Sequence, residues 1–227
     1  MNKKRINMEK LNKFSALREQ EKIARQNILI DAAENAFSKK PFNRVTMKDI
    51  AREAGINPAT IYRYFPDQQT LFIEAFIRNS RRINDEISEI LSKKDNASIE
   101  DITETFLQYV VENNKFFRMM TYYLLDGSLN KDLFIRINRE SRSFIDQFEK
   151  FFSNIDTALD SRVLAQSLYA AMNGILLTFH SYPGKDEKEI RTRMVHAGRI
   201  IARLFTIGLN SNEMLDLIKK TDSSATS

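Results

Sequence analysis

The chain has 227 residues, 42% hydrophobic and 29% charged, with a formal net charge of +5; that is a globular composition, long enough for one sizeable core or a small module joined to a larger one. Cysteine is absent, which excludes disulfides, thiolate metal sites and cysteine nucleophiles and suits a reducing, cytoplasmic setting. Only 6 Gly and 4 Pro are present, so helices should dominate and β-turns should be scarce.

In chain order, Lys3, Lys4 and Arg5 are followed by no apolar signal region, so a secretory leader is not expected. A first helix is predicted over residues 20–38, with Leu29, Ala33 and Phe37 at i, i+4 and i+8, stopped by Pro41. Thr46 is placed to cap a second helix and Asp49 stands at the capping-box position. Its buried side would be Met47, Ile50, Ala51 and Ala54. Gly55 breaks this helix where a positive φ costs glycine little. Asn57-Pro58 then starts a third, short helix through Phe65, with Asn as N-cap and Pro at the first helical position. Two short helices joined by a glycine turn make a helix-turn-helix. Longer helices are predicted beyond Pro66: residues 71–91, then one opened by Ser98 and Asp101 and running through Val110, an apolar stretch at 115–125, and 132–152. Two more follow, one from Asp160 to Tyr182 ended by Pro183-Gly184, and one opened by Asp186 and running through Phe205. Apolar runs such as Ile175-Leu176-Leu177 are far too short to cross a bilayer.

The charge is unevenly placed. Residues 1–25 hold 8 Lys/Arg against 3 Asp/Glu, residues 26–80 hold 7 against 6, and residues 81–227 hold 20 against 21. A basic arm beside a nearly neutral body points to a polyanion, either nucleic acid or a membrane surface. The expected organisation is an all-α chain in four parts. A basic N-terminal extension (1–20) precedes a three-helix helix-turn-helix DNA-binding domain (21–67). A larger helical ligand-binding and dimerisation domain (68–220) and a disordered tail (221–227) complete it.

The segment from Leu29 to Leu71 resembles the DNA-binding module of the TetR family of bacterial regulators. The resemblance rests on Ala32-Ala33 and Phe37, on Val45-Thr46-Met47-Lys48-Asp49-Ile50-Ala51, on the turn Ala54-Gly55-Ile56, on Thr60-Ile61-Tyr62-Arg63-Tyr64-Phe65, and on Leu71. The residues support the same reading unaided. Ile61 and Phe65, at i and i+4, form an inward face, leaving Ala59, Thr60, Arg63 and Tyr64 outward with Asn57 and Pro58 at the helix start, as a groove-reading helix requires. Thr46 and Lys48 open the preceding helix, where the positive end of the dipole favours a phosphate. The resemblance implies that Thr46, Thr60, Tyr62 and Tyr64 hold the backbone, while residues near Pro58, Ala59 and Arg63 come closest to bases. Two positions depart from the family pattern: Gln68 replaces a phosphate-holding Lys, and Pro41 replaces a Gly. Gln68 moves part of the backbone grip elsewhere, and the basic extension (Lys3, Lys4, Arg5, Lys10, Lys13 and Arg18) is the natural candidate for it.

In the C-terminal part, aromatic and methionine side chains suggest a pocket for a small apolar effector. The candidates are Phe106, Tyr109, Phe117, Met120, Tyr123, Phe144, Phe148, Met172 and Phe179, each of which also fits a plain helical core. Arg136, Arg139 and Arg142 recur at threes and could meet an anionic headgroup or simply face solvent. The resemblance further implies a homodimer through the last two long helices, with Leu168, Ala171, Ile175, Ile190, Met194, Ala197, Ile201 and Phe205 at the contact. Two recognition helices would then read half-sites about 34–36 Å apart. It implies repression relieved by the effector, with activation as the alternative. An enzyme is not expected: His180 and His196 lie on different helices, and no phosphate loop, metal motif or nucleophile elbow is present. No cofactor or metal is expected either. An architectural DNA binder would carry its basic residues over the whole surface, and this chain does not.

Overall fold

The computed structural model describes residues 2–93, 97–125, 131–157, 159–180, 186–211 and 216, without the side chains of 2–12, 180 and 187. Residues 94–96, the Pro183-Gly184 stop and the tail at 221–227 lie outside the described residues. Among the described residues the regular elements are all helical. They are α1 (Asn2–Lys39), α2 (Met47–Glu53), α3 (Pro58–Ile61), α4 (Gln68–Lys93), α5 (Ile99–Glu112), α6 (Asn114–Leu125), α7 (Lys131–Phe152), α8 (Ser161–His180) and α9 (Glu187–Leu209). A single 3-10 turn at Phe42–Arg44 follows α1. The chain divides into two compact units, Met1–Ala75 and Phe76–Ser227.

In the first unit the expected signals act locally. Thr46 Oγ1 accepts from the Asp49 amide at 3.1 Å and the Thr46 amide donates back to Asp49 Oδ2 at 3.0 Å, so the capping box closes and α2 starts where its orphan N–H groups are satisfied. Gly55 takes φ +67°, which ends α2 without a Cβ penalty. Asn57 Oδ1 accepts from the Ala59 amide at 2.8 Å with Pro58 at the first helical position, so α3 begins at once. Below these helices lie Leu29, Ala33, Phe37, Val45, Ile50, Ala51, Ile61 and Phe65, all buried. Ala54, expected inside, is half-buried. The unit extends past the expected boundary at residue 67 because the first two turns of α4 belong to its core. Phe72 meets Phe37 and Phe42 with ring centroids 5.4 and 4.9 Å apart, edge to face.

Two helices depart from the prediction. α1 runs from Asn2 rather than from residue 20, so the basic extension is helical and continuous with the first core helix. α3 ends at Ile61, and residues 62–64 continue as a tight turn in which Arg63 and Tyr64 donate to the carbonyls of Thr60 and Ile61. Pro66 keeps its predecessor out of the helical region, which brings this end forward.

In the second unit α5 packs along α9, α7 along α8, and α8 on α9, with α6 against α5 and α8. Several of the aromatic residues expected to line an effector pocket instead fill one another's spaces. Phe106 meets Phe144 edge to face at 5.9 Å, Phe144 stacks on Tyr169 at 6.2 Å, and Tyr109 meets Phe116 at 5.9 Å. Phe106, Tyr109, Met120, Phe144, Phe148 and Met172 are buried, while Phe117, Tyr123 and Phe179 are half-buried. Of the expected dimer residues, Leu168, Ile175 and Met194 are buried within this one chain, so the apolar area they offered is already used. Ala171, Ile190, Ala197, Ile201 and Phe205 are half-buried. The apolar row that stays outside is a different one: Val163 and Leu177 on α8, and Ile200, Leu204 and Ile207 on α9.

Candidate nucleic-acid interface

The helix-turn-helix presents its outward residues as a groove reader must. Ile61 (0% exposed) and Phe65 (4%) anchor α3, while Tyr62 stands 56% exposed. Ala59, Arg63 and Asn57 are exposed, and Pro58, Thr60 and Tyr64 are half-buried at the surface. Tyr62 is therefore not a core aromatic. Its hydroxyl and the Arg63 guanidinium are exposed donors of the kind that bind phosphates and base edges. Lys48 and Thr46 are exposed on α2.

Three contacts change the expected division of labour. The Thr46 hydroxyl donates to Asp49 Oδ2 at 2.9 Å as well as accepting the Asp49 amide, so it is engaged inside the cap. Gln68 Nε2 donates to the Phe42 carbonyl and so serves the fold. Arg25 Nη1 lies 3.5 Å from the Tyr64 hydroxyl, which brings a basic residue of α1 to the exit of the recognition helix. Sequence reasoning missed Arg25, although its place in the basic first quarter of the chain was a signal.

The electrostatics of α2 follow from one carboxylate. Asp49 is pulled down to about 2, first by its hydrogen bond from Lys40 at 2.9 Å and then by those from Thr46, against a smaller opposing effect of desolvation. Arg52 also pairs with Asp49. Lys39 donates to Glu53 at 2.8 Å, tying the end of α1 to the end of α2.

The second unit contains a cavity of about 670 Å³ among α4, α5, α7 and α9. Its walls combine Leu91, Ile99, Phe151 and Leu209 with Gln147 and Lys150. None of the residues expected from sequence to bind the effector borders it. Phe117 and Phe179 line a smaller cleft of about 240 Å³ together with Ile190 and Met194. Arg139 and Arg142 are exposed and Arg136 is half-buried. Burial pushes the Tyr123 hydroxyl up, with Tyr169 adding to the shift, and that hydroxyl donates to Asn138 at 2.9 Å. Among the described residues no group of three His, Cys, Asp or Glu side chains is placed to hold a metal, and no helix is long and apolar enough to cross a membrane.

A capped helix, a glycine turn and a short exposed helix define a helix-turn-helix DNA-binding transcription regulator. Residues 29–75 match the family described as bacterial regulatory proteins, tetR family. An uncharacterised HTH-type transcriptional regulator of Haemophilus influenzae is 26% identical over 152 residues, covering 62% of this chain and 69% of that protein. The nucleoid occlusion factor SlmA of Mannheimia succiniciproducens is 26% identical over 158 residues, covering 66% and 73%. In fold, the transcriptional regulator FadR of Bacillus subtilis, solved in complex with stearoyl-CoA, aligns with a TM-score of 0.62 at 16% identity over 75% of this chain and 96% of that one. The family match spans the helix-turn-helix and the start of α4, so it is the DNA-binding module of this chain that is of the tetR type.

Proposed function

We propose that this chain is a repressor, two copies of which hold a palindromic operator and release it when a small, largely apolar effector binds. The observation that carries the operator reading is the outward display of Tyr62 and Arg63 on a helix fixed from beneath by Ile61 and Phe65. Ala59, Thr60 and Tyr64 share that display, Asn57 and Pro58 set its start, and Lys48 adds a cation beside it. Dimerisation is supported by the exposed apolar row on α8 and α9, because adjacent large apolar residues left in water mark an interaction surface. Gly174 and the exposed Ala170 give that face room for a close helix.

For the effector we assign the cavity of about 670 Å³ in preference to the aromatic row, since the packed rings would have to part before admitting a ligand. A cleft of this size lies within the range of small-molecule sites, roughly 300–1,000 Å³. Its mixture of apolar walls with Gln147 and Lys150 suits an amphipathic molecule. The fatty acyl thioester held by the Bacillus subtilis neighbour belongs to that chemical class. α4 lines the cavity with Ser88, Leu91 and Ser92 and is continuous back to Gln68. A ligand that displaces α4 would favour a dimer with a different spacing of its recognition helices, and operator affinity would fall by that difference in affinity between states.

The test is selection from a random duplex library at fixed salt, followed by titration of the selected and scrambled sequences. A preference of about 10³ or more is expected for a specific regulator, reduced by Arg63→Gln. Equal affinity for both duplexes would refute the operator reading. Native mass spectrometry of the purified protein would show the effector, and addition of that molecule should release the duplex.

A further inference from the structure

We propose that the solvent-exposed N-terminal half of α1 is a second DNA-binding element, which holds backbone phosphates beside those reached by the helix-turn-helix. The proposal rests on the operator reading above and goes beyond it. The family match begins only at residue 29, yet α1 starts at Asn2. From Lys13 to Arg25 every residue is exposed, so this stretch has no packing of its own to maintain. Most of the order of a protein helix comes from tertiary packing of one face, and here that face is missing.

The charge is arranged for a polyanion. Arg18, Lys22 and Arg25 stand at i, i+4 and i+7 and so form one stripe along the helix. Arg25 lies against the Tyr64 hydroxyl, which puts the lower end of that stripe at the exit of the recognition helix. Lys22 has only a 3.6 Å pair with Glu19, with both side chains more than half exposed, a contact weak enough to exchange for a phosphate. At 1.5 Å per residue Arg18 lies about 10 Å further along the axis than Arg25, a span of about three phosphates at about 3.4 Å per strand. The helix-turn-helix itself has Thr46 and Gln68 engaged in internal hydrogen bonds, so it leaves backbone grip to be supplied from elsewhere.

An anionic membrane is the other polyanion. Phe14 and Leu17 share one side of α1 with Ile23 opposite, but the basic stripe ends at Tyr64 of the recognition helix, which ties it to the surface that faces DNA rather than to a lipid-facing apolar side. DNA is therefore the partner these residues favour.

The test compares the wild-type chain with an Arg18→Gln, Lys22→Gln variant on the selected operator across a salt series. Two lost phosphate contacts should lower the slope of log K against log salt by about 1.8 per half-site, which at 0.15 M salt is a loss of roughly 30-fold. Unchanged thermal unfolding would show that the variant is folded. As a second measurement, Leu17→Cys supplies the sole thiol in a cysteine-free chain for a tethered iron chelate, which should cleave the bound duplex. An equal slope in both proteins, or no cleavage from position 17, would overturn the proposal. So would binding of wild type, but not variant, to phosphatidylglycerol vesicles alongside an unchanged DNA slope. Absence of any sequence preference in the wild-type chain would instead sink the operator reading.

Discussion

Leu204 distinguishes the outer face of α9 from its inner one. It is 62% exposed in the single chain, so truncating it removes little from the protomer core. Complete burial of a leucine side chain is worth about 1.5–3 kcal/mol; the fraction left exposed therefore represents about 1–2 kcal/mol per copy. A two-fold contact counts it twice, about 2–4 kcal/mol. At about 1.4 kcal/mol per tenfold, Leu204→Ala should raise the dimer dissociation constant about 30- to 700-fold. Met194 supplies the contrast, being 1% exposed on the same helix. Met194→Ala should cost about 2–5 kcal/mol of folding stability by opening a core cavity, with a much smaller effect on association of the folded chains. Sedimentation equilibrium over a dilution series measures the association, and thermal unfolding at low concentration measures the fold. If Leu204→Ala left the dissociation constant within threefold of wild type, the outward row would not be the contact.

Three further expectations concern the frame that holds the site. A Cβ on Gly198 would lie 2.1 Å from Leu107 Cδ1, in a leucine that is fully buried, whereas a Cβ on Gly174 meets nothing within 4 Å. Both changes gain helix propensity, so Gly198→Ala should unfold at a lower temperature than Gly174→Ala by the overpacking cost, about 1–3 kcal/mol. In dilute monomer, equal melting temperatures would refute the close α5–α9 approach. Asp49 has a folded-state value near 2 against an ordinary 3.8, so its contribution is present above pH 4 and is lost as pH falls towards 2. Circular dichroism of Asp49→Asn should show a shallower loss of stability across that window, and an unchanged pH profile would count against the cap. Because Thr46 caps α2 through a single side-chain oxygen, Thr46→Ala should cost about 0.5–2 kcal/mol while the same change at exposed Thr192 on α9 costs far less; equal melting temperatures would refute the assignment.

The helix-turn-helix was legible because each of its signals acts within a few residues. Thr46 with Asp49, Gly55, and Asn57 with Pro58 specify two starts and a break with no help from distant contacts. An aromatic on a short helix can face either way, and it is the burial of Ile61 and Phe65 that fixes Tyr62 on the outer side. The N-terminal half of α1 was not legible as a helix because its polar and charged residues far outnumber its apolar ones, and Leu11, Phe14 and Leu17 make too short a run to mark a buried face. Three of the dimer candidates, Leu168, Ile175 and Met194, proved to be core for a related reason: α8 and α9 carry apolar residues on two faces, and hydrophobicity alone does not say which is inside. Leu168 and Met194 turned inward, while Leu177 and Leu204 stayed out. Most of the aromatic row packs into the core, because large rings at helical spacing fill space as readily as they line it, while Phe117 and Phe179 border a small cleft.

The seam between α4 and α7 carries the argument about release furthest. Arg81 pairs with the largely buried Glu140 at 3.1 Å, Asn84 Nδ2 donates to Ser143 Oγ at 2.6 Å, and Gln147 Nε2 donates to Ser88 Oγ at 2.7 Å. The other amide oxygens of this row, Asn84 Oδ1 and Gln147 Oε1, are buried without a hydrogen bond. A polar seam gains only about 0.5–1.5 kcal/mol per hydrogen bond over water, and each buried orphan costs about 1–3 kcal/mol. The α5–α9 seam also carries polar pairs, Arg199 with Glu104 at 2.6 Å and Thr206 with Glu100 at 3.3 Å, but between them it sets buried Leu107 against Gly198 in close approach. Parting α4 from α7 should therefore cost less than parting α5 from α9. Amide hydrogen exchange in the ligand-free protein should be faster over residues 81–88 than over residues 102–110 and 194–202. If the two seams exchanged at the same rate, α4 would be as firmly held as the rest of its unit, and displacement of α4 by a ligand in the adjoining cavity would lose its physical basis.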